Sequence, residues 1–436
     1  MKSIWNDNVK ELKFNKLQGD IKTDVLIIGG GMCGIMCAYM LEKAGIDYVL
    51  AEADKVCAGI TNATTAKITF QHGLIYDKMI KKYGEEKVYL YYESQKKALE
   101  KIKMLTFEAD ADFEICNSFV YSLKDREAIE REVEALNRIG CDAKFCEDTE
   151  LPFDIRGAVK VENQAKFHPL KFVYAIAKNL NIYENTKILE LRKNIAVTNR
   201  GKIFAKKIIA STHFPFINKH GGYFLKLYQH RSYVLALKNV PNIKDMYVDE
   251  AKEGLSFRGY KDLLLLGGGS HRTGSTGGGW NELRKVKTKY YPDSEEEGAW
   301  ATQDCMTLDS VPYIGRYSKN TENLYVATGF NKWGMTSSMV AAMILTDMIR
   351  GKKNKYAEIY SPSRSMIHPQ LAVNIFESAK GLLTPTTPRC PHMGCALKYN
   401  KQEHSWDCPC HGSRFEESGK LINNPAADDV KKLADE

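Results

Sequence analysis

The chain has 436 residues, of which 44% are hydrophobic and 27% charged, a balance that excludes a disordered tail protein and allows about two to four domains. Its 62 basic and 54 acidic residues leave a net charge of +8, too mild at this length to imply nucleic acid, and no basic run with interleaved aromatics stands out. The opening MKSIWNDN lacks an apolar signal core and no run of about 18 apolar residues follows, so the expectation is a cytoplasmic protein with no membrane span. Eleven cysteines, four of them in the last 47 residues, point to metal or redox chemistry at that end, because a reducing compartment has little use for structural disulfides.

Residues 1–22 read as a polar arm. From Asp24 to Ala53 an apolar run (Val25–Ile28) meets a glycine cluster, then a helical stretch, then a second apolar run (Tyr48–Ala51), which is a β-α-β unit in miniature. Residues 84–105 and 124–139 are charged and helix-like. FVYSL, AVKV, KILELRK, KKIIASTHFPF, SYVLALK and DLLLLGGG are strand-like, and Gly267 to Gly279 reads as a glycine-rich loop, either a lid or a plain hairpin. Residues 323–350 read as strand, loop and helix. A polar, proline-containing connector around one amphipathic helix (Leu371–Leu382) leads into the cysteine-rich tail.

Gly29, Gly31 and Gly34 form G-x-G-x-x-G between strand and helix, and Glu52 ends the next strand 23 residues after Gly29. The glycines permit a tight turn, close approach of a pyrophosphate and close helix packing, while a carboxylate at Glu52 can accept hydrogen bonds from ribose hydroxyls. Phosphates are favoured at the helix N-terminus by its free N–H groups and dipole. Three further segments bear on which dinucleotide binds: the small, hydroxyl-rich CAGITNATTAK (57–67), IASTHFPF (209–216), and SVPYIG with ATGFNKWGMTSS (310–315 and 327–338).

In this order the pieces resemble the D-amino-acid oxidase/glycine oxidase-like superfamily of FAD-dependent oxidoreductases over about residues 22–350. The resemblance implies FAD in a Rossmann-type domain of separated segments, with Gly29, Gly31, Gly34 and Glu52 at the ADP half. Thr64, Thr65, Gly315, Gly334, Met335 and Thr336 would lie on the isoalloxazine side. Cys305 lies near a region where some relatives tether flavin, but its spacing to Asp309 does not match, so non-covalent FAD is expected.

In the tail, Cys390 and His392 give C-x-H, and Cys408 and His411 give C-x-x-H. Two cysteines and two histidines are a zinc donor set as well. Two features weigh against zinc: a further cysteine, Cys395 or Cys410, stands in each loop, and the flanks CPHMGC and CPCHGS resemble the loops of Rieske 2Fe-2S proteins. That resemblance implies Cys390, His392, Cys408 and His411 as cluster ligands and a Cys395–Cys410 cross-link between the loops. Two imidazoles in place of two thiolates make such a cluster less negative and raise its potential into the range of about −150 to +300 mV. Phe415 stands where the high-potential members often carry tyrosine, so a lower potential is expected, and Phe415→Tyr should shift it upward in an equilibrium redox titration. No upward shift would refute the assignment of that missing hydroxyl. Only about 50 residues follow the connector, so a cluster-binding subdomain without its sandwich base is expected, steadied by cluster, cross-link and docking.

The expected fold is α/β, α+β overall: a Rossmann-type FAD-binding domain, an antiparallel-sheet substrate domain and a small all-β Rieske subdomain. The expected boundaries are 1–22 for the arm and 23–350 for the oxidoreductase. Within the latter, the FAD-binding parts are about 23–75, 165–220 and 305–350, and the substrate parts about 76–164 and 221–304. The connector follows at 351–380 and the truncated Rieske domain at 381–436. Candidate substrate residues are His72 as acid or base, against a structural histidine, and Arg231, Tyr233, Arg316 and Lys332 as carboxylate holders, against ordinary surface salt bridges. The outer nitrogens of His392 and His411 are expected near the surface, open to a redox partner. The function implied is oxidation of a small amine or amino acid, with electrons leaving through the cluster to an external acceptor. A reductase run from an outside donor, and a non-enzymatic redox carrier or sensor, are the alternatives.

Overall fold

The computed structural model describes residues 3–7, 9–217, 221–385 and 388–431. Among these residues, no helix is long and apolar enough to cross a membrane.

The strand Ile21–Ile28 lies at the centre of the first sheet. It pairs in parallel with Tyr48–Ala51 on one side and Lys202–Ala210 on the other. Ile182–Tyr183 extends the sheet at one end. Leu324–Thr328 and the antiparallel Tyr313–Arg316 extend it at the other. Val25–Ile28 are all buried, as a parallel strand covered on both faces must be. The helices Met32–Lys43 and Gly334–Ile349 pack against each other in the main core.

A second, nine-stranded sheet is built from chain segments that interleave with the first: Lys67–Ile68, the strands between Glu114 and Lys166, and those between Leu227 and Thr307. Leu227–Lys238 pairs antiparallel with both Glu295–Thr307 and Leu263–Arg272. The tail forms a third sheet of four three-residue strands, Lys398–Asn400, Ser405–Asp407, Arg414–Glu416 and Leu421–Asn423.

Three segments depart from the sequence reading. The glycine stretch is not one loop: the strand Leu263–Arg272 runs through Gly267, Gly268 and Gly269, the helix Gly279–Tyr290 follows, and only 273–278 connect them. A side chain at Gly269 would place its Cβ 2.3 Å from the Gly279 carbonyl oxygen, so glycine serves close packing there. The N-terminal arm is packed: Trp5 is fully buried and its indole N–H donates to the Thr64 carbonyl at 2.7 Å. The connector is packed too, with Tyr356, Ile359 and Tyr360 buried and Arg364 holding both oxygens of Asp309 at 2.7 Å.

Candidate functional site

Where the two large sheets meet lies a cavity of about 750 Å³, within the size range of ligand and cofactor sites. One end is made by the glycine turn. Gly29 adopts φ +107°, a region that disfavours side chains, and Gly31 is the N-cap of the helix Met32–Lys43 without a side chain of its own, the Met32 N–H donating instead to Thr61 Oγ1 at 3.0 Å. A Cβ on Gly34 would lie 1.9 Å from the Gly29 carbonyl oxygen, so strand and helix meet at a separation only glycine allows. Gly34→Ala should therefore cost about 1–3 kcal/mol of stability through overpacking and lower the bound-flavin content; a variant with unchanged melting temperature and flavin content would contradict this. The Glu52 carboxylate accepts from Gly30 N–H at 2.6 Å and from Asp54 N–H at 2.9 Å. Burial nevertheless raises its pKa.

The other candidates fall into distinct places. Gly29, Gly31, Glu52, Thr64, Thr65, His72, Lys332, Gly334 and Met335 line the cavity; Tyr233 borders it, but its hydroxyl is held by Glu403 of the tail and not offered to a substrate carboxylate. Thr336 is buried beneath it, its hydroxyl donating to Thr69 O at 3.1 Å. Gly315 instead faces Pro362, and Arg316 is exposed on the strand Tyr313–Arg316. His72 stacks on Trp333, and both of its nitrogens are engaged, Nε2 with Thr69 O at 2.8 Å and Nδ1 with Tyr91 Oη at 2.7 Å. Burial pushes its pKa down to about 3, so it is neutral near pH 7 and has no nitrogen left for a substrate proton.

Arg231 is a clear correction. Along Leu227–Lys238, Tyr228, His230 and Ser232 line the cavity, while Gln229 and Arg231 point to the opposite face, as strand alternation requires. The tail domain sits on that face. Arg231 grips Glu403 of the tail through Nε at 3.0 Å and also through Nη2, and Tyr233 Oη donates to the same carboxylate at 2.9 Å. Arg414 completes the network, reaching Glu403 and Asp407 at 2.9 Å each. Burial would push the Glu403 carboxyl up, but Arg231 and Arg414 outweigh it and hold it at about 2.

Several cavity groups were missed in the sequence. Lys67 lies deep, its ammonium donating, among the described residues, only to the hydroxyls of Thr65 (3.1 Å) and Ser256 (3.5 Å); burial and the neighbouring Arg258 charge lower its pKa to about 7. Asp304 lines the wall beside Ser232, Ser270, His230 and Lys332, the last of them already a candidate from the sequence. Burial raises the Asp304 pKa and lowers that of Lys332. His230 Nδ1 and Thr302 Oγ1 are buried without a hydrogen-bond partner among the described residues. Only long-range strand pairing collects these side chains. Unpartnered polar atoms in a chamber that mixes apolar walls with hydroxyl and charged groups fit a polar-decorated cofactor such as FAD.

The tail's two loops converge in the same way. Cys390 and Cys408 are buried side by side, and the Cys408 thiol holds the Cys390 pKa down, at about 7. The rings of His392 and His411 are 4.9 Å apart at 87°. Neither nitrogen of His411 has a hydrogen-bond partner among the described residues. Cys395 and Cys410 are disulfide-bonded, and their sulfurs lie within 4.8 Å of the Cys408 thiol. Two adjacent thiols and two adjacent imidazoles, one of each on either loop, fit the 2Cys–2His donor set of a Rieske cluster. The histidines are not equally open: His392 is half-buried, but His411 is 1% exposed, with the rings of Phe214 and Phe224 6.4 and 6.3 Å away. The expected open edge is thus closed at His411 by the flavoprotein body.

Comparison with known proteins agrees with both halves. The FAD dependent oxidoreductase family model matches residues 24–348 and the Rieske [2Fe-2S] domain model matches 359–434. The chain is 34% identical over 494 aligned positions to the Rieske 2Fe-2S iron-sulfur protein YhfW of Bacillus subtilis, covering 99% of this chain and 97% of that one. It is 23% identical to the gamma-glutamylputrescine oxidoreductase of Escherichia coli, over 80% of this chain and 88% of that one. Its fold matches glycine oxidase from Geobacillus kaustophilus with a TM-score of 0.68 at 17% identity, covering 79% of this chain and 99% of that one. Residues of the tail are 46% identical over 37 positions to the cytochrome b6-f complex iron-sulfur subunit of Nostoc punctiforme, 8% of this chain and 21% of that one. The chain belongs to the FAD dependent oxidoreductase family and carries, fused behind that domain, a Rieske [2Fe-2S] domain.

Proposed function

We propose that this oxidoreductase takes electrons from a small amine or amino-acid-like substrate in the cavity and delivers them through the Rieske domain to an external one-electron acceptor, a redox protein. The observation that carries this reading is the two-faced strand Leu227–Lys238. His230 and Ser232 face the cavity, while Gln229, one residue away, donates from Nε2 to the His411 carbonyl at 3.0 Å. Bound FAD accepts two electrons and a 2Fe-2S cluster carries one, so the pair turns a two-electron oxidation into single-electron steps.

The chain's own groups suit a substrate with both charges. Lys332 and Lys67 offer donors to a carboxylate, and Asp304 offers acceptors to an ammonium group. Neutral His230, its pKa lowered to about 3 by burial and by Lys332, presents an Nδ1 that has no hydrogen-bond partner among the described residues and can meet a polar substrate atom. The names of the relatives support the class: glycine oxidase, L-proline dehydrogenase and gamma-glutamylputrescine oxidoreductase each denote an amine or amino acid.

Anaerobic titration with a panel of amines and amino acids tests the reading. Bleaching of the flavin absorption followed by appearance of the reduced-cluster EPR signal is expected. If no compound bleaches the flavin, while a reduced donor protein reduces first the cluster and then the flavin, the proposed direction is wrong.

A further inference from the structure

The Rieske domain does more than sit beside the cavity: it completes its wall. Leu421, Ile422, Asn424, Ala426 and Ala427 line the same cavity as Gly29, Glu52 and Thr186. They stand at the end where Glu52 is, because Ala427 is hydrogen-bonded to Lys187, and the backbone of the adjoining Asn185 and Thr186 is hydrogen-bonded to that of Asp54 and Glu52. The closure is fastened from both sides. Asn424 Nδ2 donates to the carbonyls of Thr212 at 2.8 Å and Phe214 at 2.7 Å, and Lys187 Nζ donates to the Ala427 carbonyl at 2.9 Å. Gln229 Nε2 donates to the Asn424 carbonyl and the His411 carbonyl, both at 3.0 Å. The same segment is tied to the cluster loop, since Ala426 N–H donates to Ser413 Oγ at 2.9 Å and Cys408 N–H to Ser413 O at 2.8 Å.

We infer that residues 421–427 of the Rieske domain form part of the FAD site, as the cover over its dinucleotide end, so that flavin retention depends on docking of the iron–sulfur domain. Two groups bound in contact with one shared segment are coupled, and the coupling is reciprocal: whatever orders the segment for one favours the other. Opening of the cover requires the fastenings at Thr212, Phe214 and Lys187 to break.

The inference rests on FAD occupying this cavity with its ADP half at Glu52, and the experiment separates the two. Release of FAD from the full chain is followed by flavin fluorescence on dilution, in wild type, Glu52→Ala, Asn424→Ala and Ala427→Trp, with cluster EPR and far-ultraviolet circular dichroism confirming the fold. Asn424→Ala removes two hydrogen bonds and should speed release roughly tenfold. Ala427→Trp places bulk at an exposed position that lines the cavity, which a folded chain tolerates, and should weaken rebinding of FAD to the flavin-free protein by a similar factor. Faster release in Glu52→Ala with both Rieske-domain variants, or whichever of them folds, behaving as wild type overturns the cover. Wild-type release in Glu52→Ala overturns the placement of FAD, and the cover with it.

Discussion

Replacing Glu403 with alanine should destabilise docking of the Rieske domain by about 3–5 kcal/mol, the cost of leaving buried charge unpaired. The Glu403 side chain is 8% exposed, and the carboxylate lies between the 4%-exposed Arg231 and the 5%-exposed Arg414. Its removal leaves Arg231 without a salt-bridge partner among the described residues, while Arg414 keeps Asp407. The measurement is urea denaturation followed by the visible circular dichroism of the cluster alongside flavin fluorescence. A midpoint unchanged from wild type would show that the network contributes nothing to docking. The same group sets an acid limit. Its folded pKa of about 2 lies below the ordinary 4.5, so its contribution is fully present above pH 4.5 and drains away as pH falls toward 2. Glu403→Gln should flatten that part of the stability profile.

The second large effect is expected from Cys408→Ser. Cys408 is fully buried beside Cys390, and an alcohol oxygen is a poor replacement for a thiolate ligand to iron. The variant should lose the cluster's EPR signal and visible bands altogether. Assayed with FAD in excess, it should still be bleached by substrate under anaerobic conditions but should no longer reduce a one-electron protein acceptor. Acceptor reduction at the wild-type rate without a cluster would show that electrons leave directly from the flavin side. The two variants act on different links: Glu403→Ala loosens the docked geometry, whereas Cys408→Ser removes the carrier and leaves the substrate side in place.

Much of the site was legible from the chain alone where its chemistry is local. G-x-G-x-x-G between an apolar strand and a helix carries its own meaning, since the turn and the close strand–helix packing are decided within six residues; Gly29, Gly31 and Gly34 take up that turn in the structure. The C-x-H and C-x-x-H loops are equally compact, and the family comparison places a Rieske domain over them. Strands with dense β-branched runs, such as Val25–Ile28, were legible for the same reason.

What the sequence could not decide depends on which face a strand presents and on partners far along the chain. Arg231 reads as a candidate carboxylate holder or an ordinary surface salt-bridge residue, yet strand alternation, set by the pairing with Leu263–Arg272 and Glu295–Thr307, turns it away from the cavity into a buried ion pair with the tail. Its partner Glu403 lies 172 residues away, and nothing in the local pattern of either segment announces the other. The burial of Trp5, the grip of Arg364 on Asp309 and the contribution of residues 421–427 to the cavity wall are long-range in the same sense. The sequence by itself determined the cofactor chemistries, because short motifs place their donors within a turn or two. Only the tertiary structure decided how the two centres face each other, because that depends on strand parity and on burial that forms when the whole chain closes.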